Sequence, residues 1–210
     1  MKTVLAIQIT AFVLVAGAFG GVLVTTDVYE RVQHGIVEIL CLSCIKLDPK
    51  TVLDFTFTTA TGASHASFVL DNLSKGPVFL AFREDVCAAC DIMEPVIQDI
   101  FDIYFEKEET LDTTVDFNGT NVTFVHINID HASQDLKDAL ELYDKDHIHG
   151  VPQFTLITLG YDDGFIKPYY TSAYGTLNLD ANDKREQLLR TLIQESIDLY
   201  NDNKIGYLPD

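Results

Sequence analysis

Basic residues are scarce. Fourteen Lys and Arg stand against 32 Asp and Glu, a formal net charge of −18 over 210 residues. A field of that sign repels phosphate backbones, which excludes nucleic acid as a natural partner. It suits a strongly hydrated surface, a salt-adapted setting or a basic partner. No internal repeat or low-complexity tract is present, so a solenoid is excluded as well. Tryptophan is absent, and cysteine is limited to four residues, in two C-x-x-C pairs. The hydrophobic content of 47% is enough for one substantial core with extra elements.

Charge is missing altogether from Val4 to Val24, VLAIQITAFVLVAGAFGGVLV. As a helix these residues rise roughly 31 Å, the thickness of a bilayer's hydrocarbon core. Lys2 and the amino terminus precede the run and Asp27 and Glu30 follow it, an asymmetry that keeps the amino terminus cytoplasmic and exports the rest. Ala16-Gly17-Ala18 resembles a signal-peptide cleavage site, but the apolar run continues through Phe19 and Val22–Val24. Residues 1–26 are therefore expected to be a single-pass transmembrane signal anchor, with the remainder extracytoplasmic. The acceptor triplets at Asn72, Asn118 and Asn121 agree with a glycoprotein.

Residues 27–50 form a juxtamembrane segment that contains Cys41-Leu42-Ser43-Cys44 and ends at the turn signal Asp48-Pro49. Elements alternate after it. Residues 52–60, VLDFTFTTA, alternate apolar and polar as a strand with one solvated face. Residues 65–76 read as a short helix closed by Gly76, and PVFLAF (77–82) as a buried strand. Residues 87–109 carry a helical stripe at Met93, Val96, Ile97, Ile100, Phe101 and Tyr104. Asn118-Gly119 is a hairpin-type turn signal, TFVHINI (123–129) a buried strand, and 133–145 a helix. Residues 153–159 and 165–171 read as an antiparallel hairpin. Asp183 to Tyr200 is an amphipathic helix, with Asp183 and Glu186 as its capping box. Strands joined through helices make parallel pairs, so the order β-α-β-α-β-α-β-β-α predicts an α/β protein: a mixed central sheet with helices on both faces.

Cys87 follows the buried strand and Cys90 opens the long helix. A thiol at a helix amino terminus faces unpaired N–H groups and the positive end of the dipole, which favours thiolate. Cys87, the outer of the two, would attack a substrate disulfide, and Cys90 would resolve the mixed disulfide. A lone C-x-x-C also fits a static disulfide or a metal site, but the strand-to-helix position favours redox chemistry.

Residues 51–200 resemble thioredoxin-fold proteins. Cys87-Ala88-Ala89-Cys90 sits where that family keeps its active-site pair, and Pro95 lies where many thioredoxins carry a helix-kinking proline. Val125–Asp130, VHINID, resembles the third-strand motif, and His149–Gln153, HGVPQ, the cis-proline loop. The resemblance implies a cis Pro152, substrate-peptide hydrogen bonding by the Val151 backbone, and Gly175 in the substrate groove. It places the domain at 51–202, with 203–210 as a tail.

There are departures. Val86 stands where thioredoxins usually carry tryptophan, and Ala88-Ala89 replaces Gly-Pro, so the family's redox potential does not carry over. Ala81 stands where a buried acid usually assists proton transfer from the second cysteine, and His126 where that acid's lysine partner lies. Glu84, Asp85, His126 and His149 are the candidates for proton transfer or thiolate stabilisation. Residues 107–122 exceed what a compact thioredoxin needs.

The expectation is thus a membrane-anchored, extracytoplasmic thiol–disulfide oxidoreductase acting on cysteine pairs of exported or membrane proteins. No cofactor is needed beyond the redox-active disulfide, and no resident metal is expected. A membrane or soluble thiol reductant or oxidant must regenerate the pair. Cys41/Cys44 would be a structural disulfide or a redox relay. The alternatives are a copper or zinc metallochaperone using the C-x-x-C and a nearby histidine, and a non-catalytic binding module that keeps the groove.

Overall fold

The computed structural model describes residues 53–207. The expected anchor at 1–26 and the Cys41/Cys44 pair lie outside them; among the described residues, no helix is long and apolar enough to cross a membrane.

The apolar run after Pro77 forms β1 (Val78–Arg83), buried at all six positions. Its burial follows from its place at the centre of a five-stranded sheet. The other strands are β2 (Leu111–Phe117), β3 (Thr120–Asn128), β4 (Gln153–Asp162) and β5 (Phe165–Tyr174), in the spatial order β2-β3-β1-β4-β5. β1 is parallel to β3, and every other pair is antiparallel.

Alternate residues of β1 serve two cores, as the period of a strand dictates. Phe79 and Ala81 face helices α2 (Ala88–Phe101) and α4 (Asn182–Asn203), through Met93, Ile97, Leu189 and Ile193. Val78, Leu80 and Phe82 face α1 (Ser67–Leu73) and α3 (Gln134–Leu142), through Val69, Leu73 and Ala139. Helices therefore cover both faces of a mixed sheet, as the alternation of elements predicts.

Several expectations need correction. Residues 53–60 form no strand: Thr56 makes a single antiparallel bridge to Tyr170. Phe55 and Phe57 instead pack their rings on Tyr169, which satisfies the apolar positions without a ladder. Gly160 makes room for this, since a Cβ there would lie 2.9 Å from the Phe57 ring.

Helix α1 ends at Ser74, not at Gly76. Helix α2 passes through Pro95 but stops at Asp102, which takes the left-handed conformation at φ 53° and donates its N–H to Gln98. Aspartate tolerates that conformation better than most residues. Tyr104 is consequently exposed and Phe105 buried.

The hairpin turn at Asn118-Gly119 has φ of 53° and 85°, the two positive values of a type I′ turn. It joins β3 to an additional edge strand, β2, built from the stretch that the family resemblance marks as surplus. β4 follows β3 through a helix yet lies antiparallel to β1, so the expected parallel pairing holds only for β1 and β3. Helix α4 starts after Ala181 without a side-chain cap. Glu186 pairs with Arg190, not with the helix start, and a 3-10 turn, Lys204–Gly206, extends the end beyond Tyr200.

Candidate functional site

β1 ends on Arg83, and Glu84-Asp85-Val86 leads into α2. Cys87 is the N-cap of that helix, with extended backbone, and its Sγ accepts the Cys90 N–H at 3.1 Å. Cys87 and Cys90 form a disulfide. Cys87 is the outer of the two by a small margin, 8% exposed against 4% for Cys90, while Val86 beside it is 91% exposed.

The loop is tied down from β3. Asp130 accepts the Asp85 N–H at 2.8 Å, and the buried Asn128 donates to Asp85 Oδ1 at 2.9 Å. His131 Nε2 lies 3.0 Å from the same oxygen. The Asn128 amide, helped by His131 and Arg83, holds the exposed Asp85 carboxyl below the usual carboxylate range.

The Val151–Pro152 peptide is cis. Gln153 pairs with Phe82, so Pro152 stands opposite the end of β1, where the cysteine loop begins. Gly175, at φ 59°, donates its N–H to the Pro152 carbonyl at 2.9 Å. The connector before Pro152 folds around buried Asp144, whose oxygens accept the Ile148 N–H at 2.9 Å and the His149 N–H at 2.7 Å. Burial opposes the charge on Asp144, but these amides and the Tyr174 hydroxyl outweigh it and hold the carboxyl low. His149 is turned to this acid, its Nδ1 3.6 Å from Asp144 Oδ2, with a side chain 71% exposed.

Beneath the disulfide lies a small cavity lined by Cys90, Pro152, His126, Arg83, Glu94 and Ala81, among others. The Arg83 guanidinium is buried, ion-paired with Glu94 and 3.3 Å from Asp91, which also meets Lys107. His126 lies in β3 opposite Ala81. Its Nδ1 is 2.6 Å from the Glu109 carbonyl, and its Nε2 is buried without a hydrogen-bond partner. Burial pushes its pKa down to about 4, against that hydrogen bond, with Arg83 adding to the depression.

The structure thus brings Cys90, Pro152 and His126 to one cavity and joins Gly175 to Pro152. Glu84 contributes its carbonyl to Arg83 Nε. Arg83–Glu94, Asn128 and Asp144 are additions to the site expected from sequence. Their only signals were a basic residue closing an apolar run, an acid one helical turn after Cys90, and polar residues at element ends. Among the described residues, no three His, Cys, Asp or Glu side chains are grouped to hold a metal ion. Asn72 is buried, with its amide donating to Asp112 and accepting from Lys75; Asn118 and Asn121 are exposed.

A mixed sheet with helices on both faces, a disulfide on the first turn of α2 and a cis-proline at the mouth of the neighbouring strand fit a thioredoxin-like fold. No family model matches the chain, and no curated protein matches it. Among solved structures it is similar to a mutant thioredoxin from Halobacterium salinarum NRC-1, at 20% identity over 64% of this chain and 88% of that one, with a TM-score of 0.34.

Proposed function

We propose that the protein is a thiol–disulfide oxidoreductase that exchanges disulfides with protein cysteine pairs through Cys87 and Cys90. The observation that carries this reading is the placement of the disulfide: Cys87 caps α2, its sulfur accepting the Cys90 N–H among the amide donors of the first turn. Once the pair is reduced, those donors and the helix dipole favour the Cys87 thiolate. The thiolate attacks a substrate disulfide, one substrate sulfur leaves, and Cys90 closes on Cys87 to release the second.

The pair itself carries two electrons, so no further cofactor enters the cycle, and a thiol or disulfide partner resets it. The uncharged run at Val4–Val24 supports a membrane anchor with the redox domain on the extracytoplasmic side, acting on exported or membrane proteins. As a redox relay, Cys41/Cys44 would pass electrons between Cys87/Cys90 and such a partner. Val86, together with Ile148 at 56% exposure on the cis-proline loop, offers apolar side chains to a bound peptide beside Val151 and Pro152.

Reduction of insulin by the full chain with dithiothreitol tests the reading. Acceleration is expected, and Cys87→Ser should abolish it while Cys41→Ser and Cys44→Ser retain exchange at the distal pair. An accelerated reaction that survives Cys87→Ser would contradict it.

A further inference from the structure

One acid gathers the loop that leads into Pro152. Asp144 follows α3, and the sheet fixes its place. Ser172 of β5 donates to the Tyr143 carbonyl at 2.6 Å, and the Gln153 amide of β4 donates to the Leu140 carbonyl at 3.2 Å. From there the backbone N–H groups of four consecutive residues, Asp146 to His149, are accounted for. The Asp144 carbonyl accepts the His147 N–H at 3.0 Å, and its two carboxylate oxygens accept those of Ile148 and His149. The Asp146 N–H goes to the Tyr174 hydroxyl at 3.1 Å, and that hydroxyl donates in turn to the Asp144 carboxylate.

The loop does not take this path for reasons of its own. His147 and His149 both stand at φ 54°, a left-handed conformation that costs free energy in any residue with a side chain and persists where the surroundings impose it. The Asp144 side chain is only 3% exposed, and a buried carboxylate is tolerated only with its oxygens satisfied. The groups that satisfy it are the amides of the loop itself, so acid and loop hold each other. The far end is tied to the same strand: Tyr174 leads directly to Gly175, whose N–H sits on the Pro152 carbonyl.

We propose that Asp144, with Tyr174, is a positioning residue for polypeptide substrates: it holds residues 146–151 ready, before binding, to receive the chain that flanks a substrate disulfide. This rests on the redox reading above and assigns its preference for disulfides within polypeptides to a built part of the fold. A loop formed in advance spares the cost of ordering it on binding. Apparent affinity falls in proportion to the fraction of molecules that hold the competent form. Cys87 is held separately, by α2 and by the ties of Asp85 to β3. Loosening the loop therefore acts on a disulfide with flanking peptide more than on one without it.

Asp144→Asn keeps the shape of the side chain but exchanges one acceptor oxygen for an NH2 donor, which opposes one of the two amides. The test uses the full chain with Cys41→Ser and Cys44→Ser. It compares insulin, with dithiothreitol as reductant, against 5,5′-dithiobis(2-nitrobenzoate), a small disulfide that has no peptide. In Asp144→Asn, kcat/KM for insulin should fall by about tenfold relative to the rate with the small disulfide, the scale of one hydrogen bond to a charged group, and the loss should lie in KM. Tyr174→Phe removes a hydroxyl, leaves the ring and should act in the same direction, which keeps the role testable if Asp144→Asn does not fold. Equal falls with both disulfides, a loss confined to kcat, or an insulin rate that neither substitution changes overturns the positioning role. A parent chain that fails to reduce insulin overturns the redox reading instead. Hydrogen exchange of the oxidised, substrate-free chain tests the loop independently of turnover. The Ile148 and His149 amides should exchange about tenfold or more slowly than in an unstructured chain, and exchange at the unstructured rate overturns the positioning role whatever the redox outcome.

Discussion

At the scale of single residues, His126 couples stability to pH. Its pKa falls from 6.5 to about 4 on folding, so between these values the unfolded chain binds a proton that the folded chain refuses. The stability it contributes is therefore complete above about pH 6.5 and is lost as pH falls toward 4. The loss at pH 5 is on the order of 2 kcal/mol. His65, also lowered by burial, adds to it with the same sign. Denaturant titrations at pH 7 and pH 5 should show this loss, and His126→Gln should reduce it while leaving the His65 part. A variant that loses as much stability as the parent between these two values would place the titration elsewhere. Asp85 and Asp144, held low by their donors, keep their charge across this window and act only at more acid pH.

At the scale of elements, close backbone approach decides what helix signals alone do not. Gly76 reads as a helix stop, yet α1 has already ended at Ser74. A Cβ at position 76 would lie 2.0 Å from the Asn121 carbonyl oxygen at the start of β3. Only glycine lets the chain enter β1 so close to its neighbour. Gly76→Ala should cost at least about 2 kcal/mol, the upper part of the range for overpacking, measured by chemical denaturation. Gly62→Ala, where the added carbon meets nothing within 4 Å, should cost less despite its φ of 73°. Equal losses would mean that the contact with β3 costs no more than the left-handed conformation of Gly62.

Helix α2 follows the same logic. Its apolar stripe and its start at Cys87 are legible because both are local. Its end is not, because the stripe continues past Asp102 into residues that bury Phe105 by a different path. The hairpin at Asn118-Gly119 is legible from two residues. That its first arm becomes the edge strand of the main sheet is not, because pairing depends on β3 offering a free edge. Residues 53–60 fail in the opposite direction: their alternation is real, but ring packing on Tyr169 satisfies it.

At the scale of the whole molecule, the two cores and the mixed sheet are legible because β1 is a nearly continuous apolar run, β3 and β4 are apolar segments broken by a few polar residues, and the helices carry one apolar face each. The C-x-x-C, the cis-proline and Gly175 were legible as a combination, and the structure links Gly175 to Pro152 by a hydrogen bond. The Arg83–Glu94 pair and the bare Nε2 of His126 were not, since nothing local tells a buried arginine at a strand end where its acid lies.

The central claim is that Cys87, once reduced, is the outer and activated nucleophile of the pair at the head of α2. The direct measurement is the rate of iodoacetamide alkylation of the reduced full chain as a function of pH, in the Cys41→Ser, Cys44→Ser background, with the modified cysteine identified by mass. Modification at Cys87 ahead of Cys90 is expected, with a rate already at its plateau below the pH at which an ordinary thiol ionises, about 8.5. Equal modification of both cysteines, or a rate that climbs through that pH as for a free thiol, would contradict it.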